Sequence, residues 1–147
     1  MEILKPSALN SAMLTNVQSG TPLIVCTDAP RVERVLNNTG YQDVQINQEL
    51  ANRLLFYAKD ERPSHVEEAL KDILNYHVPI YISAFEMLFD PRYEIDVLKL
   101  FCDKARIVNV AVKWPGKYAD EKLTYADPED PDYHEFDCRA YQVRIVQ

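Results

Sequence analysis

The chain has 147 residues, of which 47% are hydrophobic, a length that suits one domain with its own core. Its formal net charge is −7, which disfavours direct binding to the phosphate backbone of nucleic acid. No apolar run approaches the roughly 20 residues of a membrane-spanning helix, and residues 1–14 lack the basic-then-apolar pattern of a signal peptide. We therefore predict a single cytoplasmic domain, residues 1–147, without membrane or nucleic-acid partners.

Helical and extended patterns alternate along the first half of the chain. Apolar residues at helical spacing predict a helix over residues 6–17, which buries Leu9, Ala12, Met13 and Val17. The short apolar run at residues 23–26 predicts a strand covered on both faces. The next predicted elements are a helix over residues 30–38, a strand over 43–47, and a helix over 48–58 that buries Leu50, Ala51, Leu54 and Leu55.

The second half continues this alternation. Ser64 and Glu67 form a capping-box pattern before an amphipathic helix, which buries Val66, Ala69, Leu70, Ile73 and Leu74. The remaining predictions are strands over residues 78–85, 106–114 and 141–146, a helix over 95–104, and a loop over 117–138 that holds a short strand at 123–125. This alternation predicts a three-layer α/β fold with a mostly parallel sheet.

Cysteine and histidine residues form no metal-binding or redox motif. Cys26, Cys102 and Cys138 are odd in number and widely spaced, and the three histidines do not cluster. Cys26 and Cys102 stand in apolar segments, which is typical of buried, inert thiols. We predict reduced cysteines and no bound metal.

The stretch LIVCTDAPRVERVL, residues 23–36, has the layout of a phosphate-binding turn between a strand and a helix. A Walker A loop needs glycines, a lysine and a Ser or Thr in the pattern GxxxxGK[ST]. In this stretch Cys26 and Arg31 stand at the glycine positions. Val32 stands at the lysine position, and Glu33 stands at the hydroxyl position. The stretch contains no glycine, so another alignment does not restore the motif.

The best candidate for a Walker B strand is IYISAFEMLFDP, residues 80–91. Ser83 and Ala84 stand at the strand end, where an acidic residue would hold magnesium. Glu86 follows as a potential general base, or otherwise as a plain loop carboxylate. Because both the phosphate grip and the magnesium acid are missing, we predict no catalytic residue and no bound ATP or magnesium.

Five short blocks carry a resemblance to a known family. They are VQINQELANRLL at residues 44–55, ERP at 61–63, EMLFDP at 86–91, VAVKWPG at 110–116 and LTYADPEDPDY at 123–133. With these blocks in this order, the chain resembles the small P-loop-containing protein, BrxF, of type III BREX phage-exclusion systems. The resemblance implies a P-loop NTPase-like, ASCE-type topology and a role in bacterial antiviral defence beside a methyltransferase and a PglZ-type protein.

Carried over by position, the phosphate loop of that family falls on residues 26–33 and its Walker B acid on Ser83. Both positions depart from the family's pattern, whereas Glu86 is kept. The departures predict degenerate Walker A and Walker B motifs on a retained fold.

Two groups of residues remain candidates for binding. An atypical nucleotide site would use Arg31, Arg34, Glu86 and Lys113. The stretch YADPEDPDYHEFDC, residues 125–138, mixes acidic and aromatic residues, which is typical of either a solvated loop or a contact for a basic partner. Its interaction residues are predicted as Asp127, Asp130, Asp132 and Tyr133.

Three hypotheses of function follow. The first is a non-catalytic pseudo-ATPase that acts as an interaction subunit of a BREX-type defence system, with the other proteins of that system as partners and a homo-oligomer left open. The second is an atypical nucleotide-binding protein with a non-Walker site. The third is an acidic inhibitor or DNA mimic that occupies a basic site on a nuclease or repressor.

Overall fold

Strands and helices alternate along the computed structural model, which describes residues 2–15 and 20–147. The strands are β1 (Glu2–Leu4), β2 (Leu23–Val25), β3 (Gln42–Gln45), β4 (Ile80–Ser83), β5 (Val110–Lys113), β6 (Lys117–Ala119), β7 (Lys122–Tyr125), β8 (His134–Asp137) and β9 (Arg144–Val146). The α-helices are α1 (Ser11–Thr15), α2 (Pro30–Asn38), α3 (Ile46–Leu54), α4 (Val66–Ile73) and α5 (Val97–Lys104). Short 3₁₀ helices occupy Pro6–Ala8, Arg62–His65, Glu86–Phe89, Pro91–Tyr93 and Cys138–Ala140.

Six strands form one parallel sheet in the order β1-β9-β2-β5-β4-β3. Parallel neighbours need crossover connections, which place helices against the faces of the sheet. Side chains alternate between the faces, so Ile24 of β2 joins one core while Leu23 and Val25 join the other. The first core holds α3, α4 and α5, and the second holds α1 and α2. The prediction of an α/β fold with a mostly parallel sheet is confirmed.

A second, antiparallel sheet of β6, β7 and β8 lies within the predicted loop over residues 117–138. The short strand predicted at 123–125 is part of β7, and residues 126–133 form a loop as predicted, but β6 and β8 were not predicted. Leu123 and Phe136 face each other across β7 and β8, and both are buried. Asp120 and Glu121 have φ of +51° and +63°, as a tight hairpin turn requires. Each of these strands has few apolar residues, so the alternation of apolar and polar residues was too weak to predict the sheet.

The N-terminal helix is shorter than the predicted span of residues 6–17. The side chain of Asn10 accepts a hydrogen bond of 3.0 Å from the backbone N–H of Met13, which fixes the start of α1. Leu9 and Leu14 are the buried residues here, whereas Ala12 is exposed. The predicted contact of Val17 lies outside the described residues, and β1 was not predicted.

Several other boundaries also differ. The capping box at Ser64 is wrong, because its hydroxyl donates to the carbonyl of Glu61 and a 3₁₀ helix precedes α4. Leu55 was predicted to be buried but is 68% exposed beyond the end of α3. The strands predicted over residues 78–85, 106–114 and 141–146 are shortened to β4, β5 and β9.

Candidate functional site

The carboxyl ends of β2, β5 and β4 meet at one edge of the parallel sheet. Open α/β sheets bind ligands at this edge. The edge carries the turn that follows β2, Lys113 at the end of β5, and Ser83 at the end of β4. The turn after β2, Lys113 and Ser83, all named in the sequence analysis, therefore lie at the same edge of the sheet.

Glu86 is held by a residue that the sequence analysis did not single out, Asn47 at the start of α3. The amide nitrogen of Asn47 donates to Oε2 of Glu86 at 2.6 Å, and its Oδ1 accepts from the backbone N–H of Met87 at 3.0 Å. The backbone N–H of Asn47 donates to the carbonyl of Ala84, a residue with φ of +50°. Asn47 thus fastens the turn after β4 to α3, and the carboxylate of Glu86 takes part in this structural contact.

Lys113 faces an acid at the same edge. Its Nζ lies 3.8 Å from Oδ1 of Asp28, in the turn after β2. The side chains are 49% and 94% exposed, so this ion pair contributes little to stability. Asp28 nevertheless puts negative charge where a phosphate group would have to bind.

Two of the charged side chains of helix α2 are engaged in hydrogen bonds. The guanidinium of Arg31 donates to the carbonyls of Pro6 and Leu9, at 3.2 and 3.0 Å, and so ties the N-terminal segment to the helix. Glu33 accepts a bond of 2.9 Å from the hydroxyl of the buried Tyr81. Arg34 is exposed.

The four predicted nucleotide residues are not linked to one another by polar contacts in the described part of the chain. Arg31 and Glu86 are each bonded to other groups. Across residues 2–15 and 20–147, no hydrogen bond or ion pair joins any two of Arg31, Arg34, Glu86 and Lys113.

Trp114 fills the space beyond the end of β5. It is 5% exposed, and its indole N–H donates to the carbonyl of Thr124 at 3.0 Å. Its ring makes edge-to-face contacts with Phe89 and Phe136, with centroids 5.7 and 5.8 Å apart. These contacts make Trp114 a core residue that joins the two sheets.

Cys26, directly after β2, has no activating environment. Burial raises the pKa of its thiol to about 12, and its backbone N–H donates to the carbonyl of Val146 at 2.8 Å. Burial also raises the pKa of Cys102 to about 11 and raises that of Cys138. The reactive form of cysteine is the thiolate, so these thiols are poor nucleophiles near neutral pH.

The four predicted interaction residues lie together on the connection between β7 and β8. Asp127 and Asp130 are exposed, and a side-chain oxygen of Asp130 accepts the backbone N–H of Asp127 at 3.1 Å. Asp132 and Tyr133 are half-buried, and the hydroxyl of Tyr133 donates to Glu135 at 2.9 Å. We call the segment from Asp127 to Tyr133 the acidic loop.

The described part of the chain holds neither a metal-binding cluster nor a membrane-spanning helix. No group of three or more His, Cys, Asp or Glu residues there is arranged to hold a metal ion. Among the described helices, none has the length and apolar character needed to cross a membrane. Comparison of the chain with protein-family models, curated proteins and solved structures gave no match.

Proposed function

We propose that this chain is a non-catalytic, P-loop-like domain that acts as an interaction subunit of a BREX-type anti-phage system. The observation that carries the proposal is the set of contacts made by the charged residues at the carboxyl edge of the sheet. Glu86 accepts a hydrogen bond from Asn47, and Arg31 donates hydrogen bonds to the N-terminal segment. Lys113 forms an ion pair with Asp28. With Arg31 and Glu86 engaged by other groups and Lys113 opposed by an acid, this edge is poorly suited to a triphosphate.

The strand order supports the P-loop part of this proposal. In an ASCE-type fold, a strand from later in the chain lies between the phosphate-loop strand and the Walker B strand. Here β5 pairs with β2 on one side and with β4 on the other. The last strand, β9, borders β2 on its far side, and β3 borders β4. This order is consistent with the topology that the resemblance implies.

The acidic loop supports the interaction part. Its carboxylates project from the small sheet, and Asp127 and Asp130 are exposed. Clustered acids beside Tyr133 suit a basic protein surface, whose binding weakens as salt rises. We therefore expect the partner to contact this loop.

A nucleotide titration tests the first half of the proposal. We expect no saturable binding of labelled ATP in the presence of magnesium. Lys113→Gln is the informative variant, because the Lys113 side chain is exposed and, among the described residues, makes only a weak ion pair with Asp28. Saturable binding in the micromolar range that Lys113→Gln abolishes would instead establish the atypical nucleotide site.

Co-expression with BREX components, including the methyltransferase and the PglZ-type protein, tests the second half. We expect a complex whose affinity falls about tenfold or more when Asp127, Asp130 and Asp132 are changed together to lysine. The matched control reverses three exposed acids on α3 and α4, namely Glu49, Glu67 and Glu68. An equal loss in both triple variants would refute a specific role of the acidic loop, and capture of a nuclease or repressor instead would favour the inhibitor hypothesis.

A further inference from the structure

A small polar pocket lies between the 3₁₀ helices Arg62–His65 and Pro91–Tyr93. Its volume is about 210 Å³, and it is lined by Lys59, Arg62, Pro63, Arg92 and Tyr93. Three of the five lining side chains are cations and none is an acid, in a chain whose net charge is −7. The pocket shares no residue with the acidic loop or with the candidate nucleotide residues.

Arg62 is fixed in position by the turn that follows α3. Its Nε donates to the carbonyls of Leu54 and Tyr57, at 3.0 and 3.1 Å. These bonds use one nitrogen of the guanidinium. Within residues 2–15 and 20–147, no hydrogen bond engages its two terminal nitrogens, which are therefore available to a ligand.

Arg92 is fixed by the carboxylate of Asp90. Its Nε and Nη2 donate to Asp90 at 3.0 and 2.6 Å, and its backbone N–H donates to the same side chain. Asp90, and more weakly Asp132, raises the pKa of Arg92, which stays charged. Lys59 is exposed and makes no ion pair with any described residue.

We propose that this pocket binds a dianionic phosphoryl group, either free inorganic phosphate or the monoester end of a small phosphorylated ligand. Drug-sized ligands occupy pockets of about 300–1,000 Å³, so a pocket of 210 Å³ suits one compact group. The three cations attract an anion, although Asp90 and more weakly Asp132 offset the charge of Arg92, and a phosphate ester carries about −1.5 to −2 at pH 7. A phosphoryl group has three acceptor oxygens where a carboxylate has two, and the planar guanidinium groups suit phosphate oxygens.

Isothermal titration calorimetry with the full chain tests this proposal. The probes are inorganic phosphate and ribose 5-phosphate, with ribose and added sodium chloride as controls at matched ionic strength. We expect both phosphates to bind saturably at one site and ribose not to bind. Tighter binding of ribose 5-phosphate assigns the pocket to an ester, and equal or weaker binding assigns it to the free anion.

Charge-removing variants locate the site. Lys59→Gln and Arg92→Gln are each expected to weaken binding about tenfold, the effect of one charged hydrogen bond. Lys71→Gln, an exposed lysine on α4 outside the pocket, removes the same charge and is expected to change affinity less than about twofold. Arg62 is left unchanged because it holds the turn after α3.

Two results would overturn the proposal. One is the absence of saturable binding of either phosphate to the unaltered chain. The other is a loss of affinity that is the same in Lys59→Gln and Lys71→Gln. Lys59 is exposed, so Lys59→Gln decides the question even if Arg92→Gln does not fold.

Discussion

Gly116 allows the backbone after β5 to approach the small antiparallel sheet. A Cβ atom at this position would lie 1.8 Å from the carbonyl oxygen of Thr124 and 3.1 Å from the indole nitrogen of Trp114. The same carbonyl accepts the hydrogen bond of the indole. Gly116 is therefore required by close packing between the two sheets.

Gly116→Ala is expected to lower the free energy of unfolding by about 3 kcal/mol, because the obstructing atom belongs to the backbone and cannot rotate away. Urea unfolding followed by the fluorescence of Trp114 measures the loss. We also expect the native tryptophan emission to shift, because the indole must move with the strand.

Gly40→Ala is the matched comparison at the end of α2. Nothing lies within 4 Å of a Cβ there, but the backbone has φ of +80°, so the expected cost is only about 1 kcal/mol of backbone strain. Its tryptophan emission should be unchanged. A loss at Gly116 no larger than that at Gly40, with unaltered emission, would contradict the packing argument.

Elements with a strong apolar period were the ones that the sequence predicted well. Helix α2 has the predicted bounds, and the five predicted core residues of the α4 segment are all buried. Strands β6 and β8 were missed and β7 was predicted only in part, because each of these strands buries few side chains and is otherwise polar. Twisted short strands of this kind are defined by their partners and turns, which the local pattern does not reveal.

The candidate site was likewise predictable only in part. The alternation of strands and helices was enough to predict that Glu86 and Lys113 lie near one edge, because the carboxyl ends of parallel strands lie at the same edge of a sheet. The bond between Asn47 and Glu86 joins residues 39 positions apart, and the pocket joins Lys59 to Arg92. Such contacts depend on how helices pack, so no spacing in the sequence indicated them.

The small sheet acts as a cover for the aromatic core through Phe136 of β8. Phe136 is 6% exposed and contacts Trp114, Phe89 and Tyr141. Phe136→Ala is expected to cost about 3–5 kcal/mol, because it opens a cavity beneath the sheet. Hydrogen exchange should speed up at the amides of β7 more than at those of β2.

Phe56→Ala removes the same side chain from a position that is 88% exposed. We expect its free energy of unfolding to stay within about 0.5 kcal/mol of the unaltered chain. Urea unfolding of both variants gives the comparison. Similar stabilities of Phe136→Ala and Phe56→Ala would rule out the covering role of β8.

At the scale of the whole molecule, buried thiols and phenols link stability to pH in the alkaline range. Burial raises the pKa of Tyr41 to about 12, and its hydroxyl donates to the carbonyl of Leu14 at 2.9 Å. Burial likewise raises the pKa of Cys26 to about 12 and that of Cys102 to about 11. In the unfolded chain these groups ionise near their ordinary values of 9.0 for cysteine and 10.0 for tyrosine.

The direction of the change in stability with pH follows from the number of protons bound by the folded and unfolded chains. Above pH 9 the unfolded chain loses protons that the folded chain keeps, so the free energy of unfolding falls as pH rises from about 9 to 12. Each group contributes at most about 1.4 kcal/mol per pH unit. The net charge of −7 becomes more negative in the same range, and self-repulsion acts in the same direction.

Tyr41→Phe isolates one of these groups. At pH 7 the variant loses a hydrogen bond worth about 1 kcal/mol, although the carbonyl of Leu14 still accepts a bond of 3.2 Å from the side chain of Asn109. Above pH 10 the unaltered chain also loses stability through ionisation of Tyr41 in its unfolded state, and the variant does not. The difference in urea-unfolding free energy between the two proteins should therefore shrink between pH 9 and pH 11 under reducing conditions. Parallel curves over that range would mean that Tyr41 ionises equally readily in the folded and unfolded chains.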